Sequence, residues 1–174
     1  MGVAMQIGYV CLTEPGATDL LLMQVADMLA REGFRLAGAV QDNIDRPDRA
    51  YCDMHLRLLP DGPQVRISED RGTFAQGCRL DAGALEQAAA RVMDRLAGAE
   101  LLIVNKFGKR EAEGRGLIPA IIAALDTGVP VLAGVNSASL PALQSFTGGI
   151  ETALPPDPEQ VARWCRALIH GTGA

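Results

Sequence analysis

Aromatic side chains are scarce, at 4% of the residues with a single Trp. A stacking platform for single-stranded nucleic acid needs aromatic faces, and this chain has too few to build one. Positive charge is also in deficit. Lys and Arg number 16 against 21 Asp and Glu, a net charge of -5. That excludes a broad basic face for nucleic acid and leaves room only for a local basic pocket. No apolar run reaches the roughly 18 residues of a membrane span. Met1 to Leu12 has no basic stretch ahead of its apolar residues, so it reads as a strand and not as a signal peptide. Cys11, Cys52, Cys78 and Cys165 form no C-x-x-C pair. This argues against a zinc ribbon or thioredoxin-like site and points to a reducing cytoplasm.

What is present fits one globular α/β domain over residues 1–174, with 48% hydrophobic and 21% charged residues. Gln6 to Leu12 reads as a buried strand, broken by Thr13-Glu14-Pro15-Gly16. Leu20, Leu21, Val25, Met28 and Leu29 then recur at helical spacing up to Gly33, and Leu36 to Val40 is a second strand. Strand, helix, strand is the unit that builds a parallel sheet. Asp42 to Asp53 reads as an exposed loop. Met54 to Leu59 and Val65 to Ile67 flank Pro60-Asp61-Gly62-Pro63, a hairpin inserted at about residues 51–68. A polar stretch from Ser68 to Arg79 follows. Asp81 caps a helix to about Leu96, Leu101 to Val104 is a central strand, and Leu117 to Thr127 is a helix closed by Gly128. Val129 to Val135 is a strand, Leu140 to Phe146 a short helix, and Asp157-Pro158-Glu159-Gln160 opens the last helix.

Open parallel sheets bind ligands beyond the carboxyl ends of their strands. Two segments lie there. Thr13 to Asp19 has the layout of a phosphate loop, in which Thr13, Gly16, Ala17 and Thr18 offer donors at a helix start. The GxxxxGK[ST] signature is absent. Asp19 would repel phosphate while serving as an N-cap, and an ordinary connecting loop is the competing reading. After the central strand, Lys106, Lys109, Arg110 and Arg115 fall within ten residues, interleaved with Glu111 and Glu113. These cations either enter the crevice or form a solvated loop with internal ion pairs. Arg79 is a further anion contact. Cys11, Cys52 and Cys78 are either converging soft ligands or incidental thiols. His55 and His170 sit where neither serves as a catalytic base, and no Ser has a nearby His partner.

The order of these segments resembles the small P-loop nucleoside-triphosphatases of the archaeal and bacterial cancer-related type. That family's loop reads roughly GEPGxGKTT, and a later strand ends in DEIGKME. The matching stretches are Thr13 to Asp19 and Asn105 to Glu111. The chain is more similar still to a bacterial branch carrying a CDM-like turn, a GCRLD segment and NKFGKxEAxGxG. These correspond to Cys52-Asp53-Met54, Gly77 to Asp81 and Asn105 to Gly116. The resemblance implies a three-layer, P-loop-NTPase-like parallel sheet flanked by helices, with a β-hairpin insertion. It also implies a setting near molybdate transport or molybdenum enzymes. Two departures stand out. Thr18-Asp19 replace the Gly-Lys that grips phosphate, and Asn105-Lys106 replace the magnesium-binding Asp and its neighbouring Glu.

The expectation is therefore a non-catalytic anion-binding protein, with no catalytic residue nominated. Its ligand is a nucleotide or a metal oxyanion, molybdate or tungstate, bound without Mg²⁺. Lys106 and Lys109 supply charge, Thr13, Gly16, Ala17 and Thr18 supply loop donors, and Arg79 and Arg115 rank second. One alternative is a nucleoside-triphosphatase whose metal is held by Glu14, Asp19 and Glu111. Another is a protein-interaction module that uses the hairpin and its flanking loops. The expected partner is a small anion, with no nucleic acid and no membrane, and a homo-oligomer stays open.

Overall fold

The computed structural model describes residues 6–44, 53–69 and 80–172. In chain order the elements are β1 (Ile7–Val10), α1 (Ala17–Arg31), β2 (Leu36–Ile44), β3 (Asp53–Leu58), β4 (Gln64–Arg66), α2 (Ala82–Asp94), β5 (Leu101–Phe107), α3 (Lys109–Ala112), α4 (Ile118–Asp126), β6 (Val131–Val135), α5 (Leu140–Thr147), β7 (Thr152–Ala153) and α6 (Pro158–Thr172).

The apolar runs at β5 and β6 are buried on both faces, as the central strands of a parallel sheet must be. Among the described residues, seven strands lie in the order β4-β3-β2-β5-β6-β1-β7. The pairs among β2, β5, β6, β1 and β7 are parallel, while β3 and β4 add an antiparallel hairpin at one edge. Side chains alternate across the sheet. Leu102 and Val104 enter one core with residues of α2, α4 and α5, and Leu101 and Ile103 enter the other with residues of α1 and α6. Helices therefore cover both faces, giving the three-layer α/β architecture with its hairpin insertion.

Local chemistry explains the element ends. Asp81 Oδ1 accepts from Ala84 N at 3.0 Å, and Asp157 Oδ1 accepts from Gln160 N at 2.9 Å. Both are N-terminal caps where the sequence predicts them. At α1 the expectation fails. The N-cap is Gly16, with φ 77 and no side-chain cap, so Asp19 lies inside the first turn. The Gly16 backbone needs the left-handed region, which only glycine enters without strain.

The expected loop at Asp42–Asp53 is also corrected at both ends. β2 runs on through Ile44 because Asp42, Asn43 and Ile44 pair with His55, Met54 and Asp53 of β3. Edge pairing overrides the polar composition of the segment. The rest of that loop, Cys52, and the stretch carrying Gly77, Cys78 and Arg79 lie outside the described residues.

Candidate functional site

The carboxyl ends of β1, β5 and β6 open beneath the loop that joins β1 to α1. That loop is held by short-range bonds. Ala17 N donates to Glu14 O at 3.1 Å, Leu20 N to Gly16 O at 3.0 Å, and Leu12 N to Thr18 Oγ1 at 3.1 Å. With Gly134 of β6 and Asn136 just after it, the loop encloses a cleft of about 280 Å³. Thr13, Gly16 and Thr18 line this cleft, and so does Lys106; Ala17 does not.

A polar network crosses the floor. Asn105 is buried. Its Oδ1 accepts from Gln41 N at 2.7 Å, and its Nδ2 donates to Asp19 Oδ1 at 2.8 Å. Asp19 Oδ2 accepts from Asn43 Nδ2 at 3.0 Å, and Gln41 Nε2 donates to Asn43 Oδ1 at 2.8 Å. Both oxygens of Asp19 are thus engaged by amides, and its charge sits favourably in the first turn of α1. Gln41 and Asn43 were missed by the sequence reading. Their signal was available: they are two residues apart, so a strand continuing past Val40 presents them to one face.

A second cleft of about 350 Å³ opens across Lys106, between the hairpin, α2 and α3. Met54, Leu56, Ile67, Leu85 and Leu117 form apolar walls. Gln41, Asn105 and Lys106 border both clefts, whereas Lys109 and Arg110 border only this one. Lys106 and Lys109 are exposed and make no ion pair among the described residues. Arg110 Nη2 pairs with Glu86 Oε1 at 3.0 Å, and the same oxygen accepts from Gly116 N at 3.0 Å. Arg115 is exposed and borders neither cleft.

Glu111 is buried. Its Oε2 accepts from Gly108 N at 3.0 Å and its Oε1 from Leu117 N at 3.2 Å. Burial pushes its carboxyl above the ordinary value, against the pull of these bonds. It borders the second cleft while Glu14 and Asp19 border the first. The three carboxylates of the alternative metal site thus line two different clefts. Among the described residues, no three His, Cys, Asp or Glu side chains group closely enough to hold one. Cys11 is half-buried against the core at the end of β1. Cys165 is buried under α1, and burial pushes its thiol up to about 12. No described helix is long and apolar enough to cross a membrane.

Residues 7–164 match the family described as protein of unknown function DUF2478. The chain belongs to that family. Among solved structures, this DUF2478 chain is similar to THEP1 from the hyperthermophile Aquifex aeolicus, with a TM-score of 0.57 and 14% identity over 88% of this chain and 90% of that one. The likeness is one of fold, the P-loop-NTPase-like architecture that the sequence resemblance implies. Among curated proteins it is 37% identical over 149 residues to the molybdenum import ATP-binding protein ModC 2 of Bradyrhizobium diazoefficiens. The matched stretch covers 85% of this chain and 17% of that protein's length.

Proposed function

We propose that this DUF2478 chain is a non-catalytic anion-binding protein on a degenerate phosphate-loop scaffold. Its ligand is a nucleotide or a metal oxyanion such as molybdate or tungstate, and its setting is molybdenum handling. The observation that carries the reading is the 2.8 Å hydrogen bond between Asn105 and Asp19. These residues stand where the resembled nucleoside-triphosphatases have the metal-binding Asp and the phosphate-gripping Lys. Here the two side chains satisfy each other. Lys106 makes no ion pair among the described residues and borders the cleft beside the backbone donors of the loop. The Asp19 carboxylate opposes a triphosphate running along the helix start and so favours a compact dianion. The 37% identity to a stretch of a molybdenum importer's ATP-binding protein supports the molybdenum setting.

The test is a thermal-shift panel on metal-free protein. It compares ATP and GTP, each with and without Mg²⁺, with molybdate, tungstate, sulfate and phosphate. A ligand at about 100 times its Kd adds roughly 2.7 kcal/mol. The expected result is stabilisation that survives EDTA, weakens with salt and is lost in Lys106→Ala. A shift that requires Mg²⁺ together with nucleotide, accompanied by phosphate release, would overturn the reading.

A further inference from the structure

The cleft between the hairpin, α2 and α3 has a composition that a simple oxyanion does not use. We propose that it is a separate binding site for a small amphipathic anion, a molecule with an apolar metabolite-sized body and a single carboxylate, sulfonate or phosphate head. Three observations converge on this chemistry. The volume of about 350 Å³ lies within the roughly 300–1,000 Å³ range of small-molecule pockets. The walls are apolar and come from different elements: Met54 and Leu56 from β3, Leu85 from α2, and Leu117 ahead of α4. The polar side of the same cleft carries Lys106, Lys109 and Arg110.

Arg110 is held at the cleft by Glu86, which fixes its Nη2. Charge-assisted contacts to a head group are then available from Lys106 and Lys109, which make no ion pair among the described residues. The carboxylate that also borders the cleft does not oppose an anion as a free charge would. Both Glu111 oxygens accept backbone N–H groups. An inorganic oxyanion would leave the apolar walls unused, and a neutral apolar molecule would leave Lys106 and Lys109 unused. An amphipathic anion answers both.

This inference does not rest on the phosphate-loop reading. Lys106 borders both clefts, so the test uses residues of this cleft alone. The probes are 2-naphthoate, its neutral counterpart 2-naphthylmethanol, and molybdate, each titrated calorimetrically into the full chain. The structure predicts that naphthoate binds and that naphthylmethanol binds at least about tenfold more weakly, the loss of one charge-assisted contact. Lys109→Ala weakens naphthoate by a similar factor. Leu85→Trp, which fills the cavity, abolishes naphthoate binding and leaves any molybdate response in place. Lys109 is exposed, so its variant keeps the test valid if Leu85→Trp fails to fold. Naphthoate binding that is absent at millimolar concentration, equal to that of the alcohol, or unchanged in Lys109→Ala overturns the proposal. Loss of the molybdate response alone would count against the phosphate-loop reading and leave this one standing.

Discussion

Two clefts meet at Lys106, and their chemistry is the reverse of what their places in the fold suggest. The one at the phosphate loop keeps the Gly16 turn and the start of α1, the geometry that suits an anion. Yet its floor holds the Asp19 carboxylate, bound to Asn43 and Asn105. The neighbouring cleft has no phosphate-loop geometry, but it borders Lys106, Lys109 and Arg110 and is walled by apolar side chains. One compartment thus has the backbone shape that suits an anion, while the next one holds the cations. The strand end makes this possible. Asn105 is buried and Lys106 exposed, so successive residues of β5 serve a closed floor and an open rim.

The comparison breaks most severely at the wall of the first cleft, at Gly134. A Cβ added at Gly134 would run into the Asn105 carbonyl oxygen, with Thr18 Cγ2 at 2.8 Å and Leu22 Cδ1 at 2.9 Å. Gly134→Ala should cost about 3 kcal/mol in urea unfolding and deform the first cleft. Wild-type stability in that variant would show that the loop and β5 do not meet as described. Next in size is Glu111→Gln. It points an amide N–H at a backbone N–H, at Gly108 or at Leu117, and should cost about 2 kcal/mol. That damage belongs to the second cleft, so anion binding at the phosphate loop should persist in the folded fraction.

Much of the scaffold was legible because its signals are local. The apolar run from Leu101 to Val104, the caps at Asp81 and Asp157, and the turn at Pro60 to Pro63 each follow from a few adjacent residues. The first cleft was legible in outline through Thr13, Gly16, Thr18 and Lys106. Its network was not, because Asn105 and Asp19 are 86 residues apart. The same reason hid the second cleft. Met54, Leu85 and Leu117 are ordinary core residues in sequence, and only the topology brings them beside Lys109 and Arg110. Asp19 misled for a local reason: its type suits an N-cap, but Gly16 begins the helix earlier and leaves its carboxylate free to reach across to β5.

Asp19→Ala sharpens the contrast directly. It removes the carboxylate from the first cleft without removing a side chain that lines the second. Two side-chain hydrogen bonds are lost, so stability should fall by about 1 kcal/mol. Affinity for molybdate or phosphate should rise about tenfold as the repulsion disappears. Naphthoate affinity should not change. A weaker response to both inorganic anions would mean that Asp19 organises the loop donors more than it repels the ligand.

The smallest effect is a pH dependence confined to the second cleft. Burial raises the Glu111 carboxyl above its ordinary value of 4.5. The folded state therefore holds this proton more tightly than the unfolded chain does. The stability from that linkage is fully present below the unfolded value and is lost as pH rises through the raised, folded one. Glu32 has the opposite sign. The Arg166 guanidinium bonded to it lowers its carboxyl, so its contribution is lost as pH falls. Comparing wild type with Glu111→Gln cancels Glu32 and every other shared group. The stability difference between them should narrow as pH is raised from about 4 towards neutrality, because only the wild type ionises at this position. A difference that widens with pH would mean that the two N–H donors outweigh burial. The second cleft would then carry a settled negative charge beside Arg110, and a head-group anion would be disfavoured there.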